Sequence, residues 1–200
     1  MPAARRRSLV DAAATEFACQ GYENASLNAI IKRCSMSKSS FYYLFDSKEE
    51  LFDFVVTELL ELLAGTVAIP APRDFAEGDF WTRVEALFVH LTQAAASDDA
   101  LRNLGRMFYG EAPEDARRSV ATSLQAARNW VQEVVKAGRS TGAVADDLPE
   151  SLQCDLTFGV LQIFDRWSVD HVDASDGAQA EALVIAQFAA LKRLLGADPA

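Results

Sequence analysis

The fold of this chain is decided by residues 26–48, which read Ser-Leu-Asn-Ala-Ile-Ile-Lys-Arg-Cys-Ser-Met-Ser-Lys-Ser-Ser-Phe-Tyr-Tyr-Leu-Phe-Asp-Ser-Lys. The first part of this stretch has the apolar period of a helix. Its stripe falls at positions i, i+3, i+4 and i+7, on Leu27, Ile30, Ile31 and Cys34. Ser26 precedes the stripe and is a typical N-cap residue, so a short amphipathic helix is predicted to begin there.

A second short helix is predicted after the polar turn at residues 34–36. Ser37 can cap this helix. The apolar side chains predicted to point back at the preceding helices are Phe41, Leu44 and Phe45. The groups left on the outer face are Lys38, Ser39, Tyr42 and Tyr43. Hydroxyls, phenols and an amine on one side suit contacts to phosphates and base edges, so the two helices together suit insertion into the DNA major groove.

The charge of the chain is distributed in a way that fits this interpretation. The whole chain carries −10 at pH 7, which by itself argues against a nucleic-acid partner. Residues 1–48 hold seven Lys and Arg against four Asp and Glu, a balance of +3, whereas residues 49–200 hold 12 against 25, a balance of −13. A weakly basic head on an acidic body indicates that only the head approaches DNA.

The rest of the chain has the same helical period and no stretch with the alternation of a strand, so an all-α fold of about nine helices is predicted. The other predicted helices cover about residues 4–19, 48–64, 80–91, 98–109, 113–139, 146–169 and 177–195. Ser47 and Glu50 match a capping box at the start of the helix that follows them. We place a helix-turn-helix DNA-binding domain at residues 1–46 and an effector-binding and dimerisation domain at residues 47–200.

The last two predicted helices have apolar residues on two faces. A helix with two apolar faces needs two partners, one inside the subunit and one outside it. Homodimerisation through these helices is therefore expected. The candidate interface residues are Leu152, Leu156, Gly159, Ile163, Trp167, Ala182, Ile185, Ala186 and Ala189.

A cavity for a largely apolar small molecule is also predicted in the C-terminal region. Bulky side chains recur at helical spacing in four successive helices, and two polar residues lie one turn from them. The candidate effector-binding residues are Phe88, Leu91, Met107, Phe108, Trp130, Phe158, Gln162 and Asp165. Ordinary core packing explains the same apolar residues. If Asp165 is buried without a basic partner, it would favour a cationic or hydrogen-bond-donating ligand.

The composition argues against several other classes of protein. Half of the residues are hydrophobic, which is ample for a packed core. Neither a secretory signal nor a long uncharged apolar segment is found, so a cytoplasmic protein without a membrane partner is expected. Cys19, Cys34 and Cys154 are widely separated, which indicates reduced thiols, and no metal or cofactor is expected. His90 and His171 belong to no catalytic spacing, so an enzyme is the weakest hypothesis.

The residues quoted above resemble a known family. The string from Met36 to Leu51, preceded by Gly21-Tyr22 and by Ser26 to Ile30, is similar to the N-terminal domain of the tetracycline-repressor (TetR) family of bacterial transcriptional regulators. The resemblance is specific over about residues 5–52, a quarter of the chain. It implies a dimer whose recognition helices read successive major grooves of a near-palindromic operator, and release from DNA when a small molecule enters the C-terminal domain.

The resemblance also implies roles for individual residues. Carried over position by position, Ser26 and Lys48 would hold phosphates at the starts of their helices. The residues that would face bases or phosphates are Lys38, Ser39 and Ser40. The phenols of Tyr42 and Tyr43 would lie along the DNA backbone.

The chain departs from the family pattern at two places. The turn usually reads Ala-Gly where this chain has Cys34-Ser35, so a residue with a side chain must adopt the backbone conformation of a glycine. The position usually filled by Gly near the start of the recognition helix is Ser39, whose hydroxyl can reach DNA. The operator preference of other members is therefore not transferable.

Ligand-responsive transcriptional regulation, most often repression, is the predicted function. The predicted mechanism uses the helix from about Lys48 to Ala64 as the link between DNA and ligand. The alternative is a helical small-molecule-binding or scaffolding protein whose head no longer binds operators. The basic run of Arg5, Arg6 and Arg7 either reaches a neighbouring DNA groove or remains a solvated tail.

Overall fold

The chain is all-α, as predicted. The computed structural model describes residues 1–172 and 177–197, and within them there are nine α-helices. Their bounds are α1 Ala3–Asn24, α2 Leu27–Arg33, α3 Lys38–Tyr42, α4 Lys48–Thr66, α5 Phe80–Ser97, α6 Asp99–Tyr109, α7 Arg118–Ser140, α8 Glu150–His171 and α9 Gly177–Leu195. Two 3₁₀ segments, Pro72–Ala76 and Glu114–Arg117, precede α5 and α7. None of the helices in the described ranges has both the length and the apolar character that a membrane span requires.

Side-chain caps set the starts of the helices where the sequence predicts them. The Ser26 hydroxyl accepts from the Ala29 amide at 3.3 Å, and the Ser37 hydroxyl accepts from the Ser40 amide at 3.1 Å. The Asp79 carboxylate accepts from the Thr82 amide at 2.6 Å, just before α5. Each cap satisfies a backbone donor that the first turn of a helix leaves without a partner.

The start of α4 differs from the predicted capping box by one residue. The Ser47 hydroxyl accepts from the Glu50 amide at 3.2 Å, as expected. The Glu50 carboxylate, however, accepts from the amide of Asp46 at 2.8 Å. The carboxylate therefore holds the residue before the cap and fixes the chain between α3 and α4.

Leu44 was predicted to point inward, and this prediction is wrong. Phe41 and Phe45 are buried, but 36% of Leu44 is exposed. Helix α3 ends at Tyr42, so the helical spacing from Phe41 no longer determines where the Leu44 side chain lies.

Pro113 was expected in the first turn of the long helix. Instead the 3₁₀ segment follows it, because the Ala116 amide bonds three residues back to the Pro113 carbonyl, and α7 begins only at Arg118.

The chain divides by packing into two compact units. The first contains Met1–Thr66 together with Asp98–Ser123, so it holds α1 to α4, α6 and the first residues of α7. Its core contains an aromatic cluster in which Phe52 meets Phe17 edge-on at 5.0 Å and Tyr22 edge-on at 5.5 Å, between ring centroids. The predicted functional boundary at residue 46 remains a prediction, because packing does not define which residues bind DNA or ligand.

The second unit contains Val67–Ser97 and the chain from Leu124 onwards, so it holds α5, most of α7, α8 and α9. Its interior is tightly packed around Gly138 of α7. A Cβ atom at this position would lie 2.5 Å from a methyl of Val144 and 2.8 Å from the ring of Phe80. Only glycine permits this approach, since such separations are far below van der Waals contact.

Candidate DNA interface and apolar cavity

The turn between α2 and α3 has the backbone of a glycine turn without a glycine. Ser35 has a φ of +55°, and it is the one non-glycine residue with a positive φ in the described ranges. The turn is closed by the Met36 amide, which donates to the Ile31 carbonyl at 3.1 Å. The conformation expected from the Cys34-Ser35 sequence is therefore adopted, at the steric cost of a side chain in the left-handed region.

The outer face of α3 presents the side chains that the sequence predicts. Tyr43 is 89% exposed and Tyr42 is 51% exposed, while Lys38, Ser39 and Ser40 are also exposed. The Tyr42 ring rests edge-on against the buried Phe41 ring, with 5.4 Å between centroids. Tyr43 is thus the most available phenol of this face, and Tyr42 presents only part of its ring.

The serine hydroxyls at the start of α3 are linked to one another. The Ser37 hydroxyl donates to the Ser40 hydroxyl at 2.8 Å and lies 3.1 Å from the Ser39 hydroxyl. Because α3 is short and Ser37 is its cap, these groups gather at the end where the backbone amides point outward. The Ser40 hydroxyl keeps its own proton to donate, so it is available to an acceptor such as a phosphate oxygen.

Lys48 lies at the start of α4 and is held from two sides. Its ammonium donates to the Glu23 carbonyl at 2.9 Å and lies 5.0 Å from the centre of the Tyr22 ring. Burial, followed by the carboxylate of Glu49, raises the pKa of the Tyr22 phenol, so the ring that carries the cation stays neutral. These contacts fix the position of the ammonium in advance, and two of its three donors remain for a phosphate.

The arginine run is part of a helix and not a tail, because α1 already begins at Ala3. Arg6 pairs with Glu58 of α4 at 2.7 Å. Arg7 pairs with Asp11 at 2.8 Å and with Asp98 at 2.9 Å. Two of the three arginines therefore connect helices within the first unit.

Arg5 occupies a different position, beside the recognition helix. A groove of about 410 Å³ separates the start of α1 from α3. The groove is lined by Met1, Pro2, Arg5, Met36, Ser39, Ser40, Tyr43 and Leu44. Arg5 thus shares one surface with three of the predicted DNA-binding residues. From the sequence alone, a DNA contact by the arginine run was one of two open alternatives.

Asp98 has a double role at the point where α6 begins. Its carboxylate caps α6 by accepting from the Ala100 amide at 2.8 Å, and it also receives the Arg7 guanidinium. Burial, the largest single effect, raises the pKa of Asp98, but the hydrogen bonds from Arg7 and Ala100 and the charge of Arg7 outweigh it and lower the pKa overall. The group is therefore ionised at neutral pH and joins α1 to the start of α6.

The second unit contains an apolar cavity of about 60 Å³. Its walls come from the 3₁₀ segment before α5, from α5 and α7, from the turn after α7, and from α8 and α9. The lining residues are Phe75, Phe80, Trp81, Val84, Leu87, Phe88, Trp130, Val131, Val134, Val135, Val144, Thr157, Leu161, Leu191 and Leu195. No polar atom contributes exposed surface to it.

Two of the predicted effector residues, Phe88 and Trp130, line this cavity. Met107 and Phe108 belong to α6 in the first unit, and Leu91 of α5 is exposed. On α8 the lining residues are Thr157 and Leu161. Phe158 and Gln162 each follow a lining residue by one position, which turns them about 100° away around the helix.

The expected polar anchor is also absent from the walls. Asp165 is exposed on α8, beyond the last lining residue of that helix. The polar residues that are buried on α8 are Gln153 and Thr157, which the sequence interpretation missed. Their spacing of four residues, continued by Leu161, was the signal that could have identified this face.

The predicted dimer residues of α8 and α9 lie mostly on the surface of the single chain. Ile163 is 67% exposed and Ile185 is 56% exposed. Leu152, Leu156, Trp167, Ala182 and Ala186 are exposed as well, whereas Gly159 and Ala189 are half-buried. A Cβ atom at Gly159 would meet nothing within 4 Å. Each helix therefore carries an apolar face that the chain itself leaves uncovered.

Comparisons with known proteins identify the N-terminal segment of the chain. The model of the family described as bacterial regulatory proteins, tetR family, matches residues 9–55, which contain all seven predicted DNA-binding residues. Residues 9–55 therefore carry the DNA-binding domain of the tetR family. Proteins of this family are transcriptional regulators and not enzymes.

Individual relatives agree with the match of this segment. The HTH-type transcriptional regulator YdgC of Bacillus subtilis is 38% identical over 53 residues, which are 26% of this chain and 27% of that protein. The HTH-type transcriptional repressor KstR2 of Mycolicibacterium smegmatis is 24% identical over 156 residues, 76% of this chain and 73% of the repressor. The match to YdgC thus spans about a quarter of that relative's length.

Solved structures extend the likeness of the fold over the whole chain. The ketosteroid transcriptional regulator KstR2 of Mycobacterium tuberculosis superposes with a TM-score of 0.72. The alignment covers 99% of this chain and 98% of that one, at 19% identity. At this identity the likeness establishes the fold alone, and neither the ligand nor the operator.

Proposed function

We propose that this chain is a ligand-responsive transcriptional repressor of the tetR family. It acts in the cytoplasm, binds a near-palindromic operator as a homodimer, and leaves the operator when an apolar small molecule enters the cavity of the second unit. The observation that carries the proposal is the outer face of α3. There an almost fully exposed phenol, an amine and linked hydroxyls lie together on a short helix that is capped and packed from behind.

The proposed DNA contacts divide into two groups. Lys48, Ser26 and the phenols of Tyr42 and Tyr43 contact phosphates, which supply affinity and register. Lys38, Ser39 and Ser40 contact base edges or neighbouring phosphates. The recognition helix has no arginine, so the bidentate contact to guanine is absent and DNA shape supplies part of the specificity.

Arg5 joins this interface as a contact to the DNA backbone or the adjacent minor groove. It is exposed across the groove from Ser39 and Ser40. The other two arginines of the run, Arg6 and Arg7, are already paired with acids. We expect Arg5→Ala to weaken operator binding. Arg6→Ala should instead act on stability, because Arg6 pairs with Glu58.

The homodimer is proposed to form through α8 and α9. Their uncovered faces carry large apolar side chains, led by Ile163 and Ile185, that a second copy of the same helices would bury. Gly159→Leu tests the interface, because the position is open within the single chain. The variant should remain helical by circular dichroism and sediment with a smaller mass, and an unaltered mass would place the interface elsewhere.

The predicted role of α4 as the link to the ligand needs revision. Helix α4 lies wholly in the first unit and contributes no residue to the cavity. Helix α5 contributes five lining residues and ends at Ser97, directly before Asp98. We therefore propose that a ligand acts through α5 on Asp98, and through the Asp98–Arg7 pair on α1. Only a ligand that binds the DNA-free arrangement more tightly can do this.

The function is tested by gel shift with the DNA upstream of the protein's own gene. Tyr43→Phe should weaken the complex, and Lys48→Met should also reduce the slope of log K against log salt by about one. The control is Lys136→Met, which removes a lysine of the second unit that pairs with Glu133. Circular dichroism should show that all three variants fold.

Two outcomes would contradict the proposal. Absence of any site-specific complex at low salt would favour the alternative, a helical small-molecule-binding or scaffolding protein whose head no longer binds operators. Equal operator affinity of Tyr43→Phe, Lys48→Met and the wild type would show that these residues do not contact the operator. We further propose that the chain has no catalytic function, so exchange of His90 and His171 should leave its biological activity unchanged.

A further inference from the structure

The walls of the cavity in the second unit define the chemical class of its ligand. We infer that the cavity takes an uncharged, largely aromatic or hydrocarbon molecule that is held by packing alone, without a charged or hydrogen-bonding anchor. This inference rests on the proposed function, because it names the effector class of the same cavity. It departs from the expectation of a polar anchor at Gln162 or Asp165, neither of which lines the cavity.

Every polar group of the walls is already engaged. The Trp81 indole donates to the Ala143 carbonyl at 3.1 Å, and the Trp130 indole donates to the Pro70 carbonyl at 3.0 Å. The Thr157 hydroxyl donates to the Gln153 carbonyl at 2.7 Å. The other lining side chains are hydrocarbon. A ligand with a carboxylate or phosphate would therefore lose its hydration shell and find no donor, and an ammonium would exchange its hydration for ring faces alone.

Aromatic rings form a large part of the lining. Phe75 stands edge-on to the Trp130 ring, with 5.5 Å between centroids, and Phe80 stands edge-on to the Trp81 ring at 5.0 Å. Rings in this geometry offer both faces and edges to a guest, which favours a flat aromatic or alicyclic molecule over a sugar or peptide. The packing of such a guest replaces dispersion contacts that the empty space lacks.

The size of the cavity implies that the ligand must move its walls. Its volume of about 60 Å³ is small beside the roughly 300 to 1,000 Å³ of ordinary ligand pockets. Phe88 and Leu161 are only half-buried, whereas most of the other lining residues are buried. A guest that enters between them displaces side chains of α5 and α8. Binding is therefore coupled to a change in α5, the helix that leads to Asp98.

The class of ligand is tested with two probes that share one ring skeleton. N-phenyl-1-naphthylamine is neutral, and 8-anilino-1-naphthalenesulfonate is the same skeleton with a sulfonate. In the full-length Trp167→Phe protein the remaining indoles are Trp81 and Trp130, which both line the cavity. Energy transfer from these indoles reports a probe bound near them, and the cavity-filling variants then identify the cavity as the site.

We expect saturable energy transfer to the neutral probe and at least about tenfold weaker binding of the sulfonate. Val131→Phe, which fills the cavity, should abolish the transfer, and Leu161→Phe at its half-buried rim should weaken it. Thermal melts identify a variant that fails to fold, in which case the other filling variant decides. Thr157→Val should leave the affinity unchanged, because the hydroxyl offers the ligand no free donor.

Three results would overturn the inference: no saturable transfer to the neutral probe, equal or tighter binding of the sulfonate, or transfer that is undiminished in a folded cavity-filling variant. The gel shift separates these from a failure of the proposed function. Selective binding of the neutral probe without release of DNA would leave the ligand class intact and refute the effector response. Release of DNA by the sulfonate and not by the neutral probe would support the effector response and refute the ligand class.

Discussion

Replacement of Ser35 by glycine should stabilise the DNA-binding head, although it removes a side chain. Ser35 has a φ of +55° at the turn between α2 and α3. The left-handed region destabilises a residue with a Cβ atom by about 1–2 kcal/mol, whereas glycine adopts it almost without strain. Glycine also gains freedom in the unfolded chain, which offsets about 0.4–1 kcal/mol. The net expectation is that Ser35→Gly raises the free energy of unfolding by about 0.5–1 kcal/mol.

The matched control is Ser35→Ala, which removes the hydroxyl and keeps the Cβ atom. Because the Ser35 side chain is exposed, this variant should differ from the wild type by less than about 0.5 kcal/mol. Urea titrations should be followed by circular dichroism, since all three tryptophans lie in the second unit and their fluorescence would not report the head. Hydrogen exchange at the Met36 amide, which closes the turn, reports the same effect locally.

The contrary result is a Ser35→Gly variant that is no more stable than Ser35→Ala at an equal m-value. That result would mean that the backbone at this position is not strained. It would also mean that the departure of this chain from the family's Ala-Gly turn has no steric cost.

Three other substitutions test the packing and the charges. Phe52→Ala empties the aromatic cluster of the first unit and should lower stability by about 3–5 kcal/mol, seen as a lower urea midpoint by circular dichroism. Gly138→Ala should cost about 1–3 kcal/mol, because the new methyl collides with Phe80, and thermal melts followed by tryptophan fluorescence should report it. The pKa of Asp98 is lowered by Arg7, so Asp98 stabilises the protein above its unfolded pKa of about 4 and loses this contribution as the pH falls through its folded pKa. Asp98→Asn should therefore lower the thermal midpoint at pH 7, and the difference from the wild type should vanish in acid; a constant difference would exclude a charge effect.

Local chemistry explains why so much of the fold could be predicted. The caps at Ser26 and Ser37 are set within four residues of chain, and the structure forms both. The outward face of α3 was also correct, because a five-residue helix with one buried stripe leaves few choices. Leu44 was misplaced because the periodic pattern was extended past the end of α3, where the chain is no longer helical.

The ligand cavity was harder to predict for a physical reason. Periodicity identifies which face of a helix is apolar, but not which neighbour covers that face. Met107 and Phe88 are both bulky apolar residues of predicted helices, yet α6 packs in the first unit and α5 lines the cavity of the second. Arg6 and Arg7 illustrate the same limit, because their acidic partners Glu58 and Asp98 lie far away in sequence.

The first unit consists of two separate segments of the chain, which restricts how chimeras of the protein can be built. Its fold is completed by residues 98–123, which come from the middle of the chain. A chimera joined at a single point, after residue 46 or after residue 66, would separate α1 from the α6 of its own protein and break the Arg7–Asp98 pair. Operator specificity is therefore better transplanted by exchanging only residues 26–48, which leaves the helices on either side in their native surroundings.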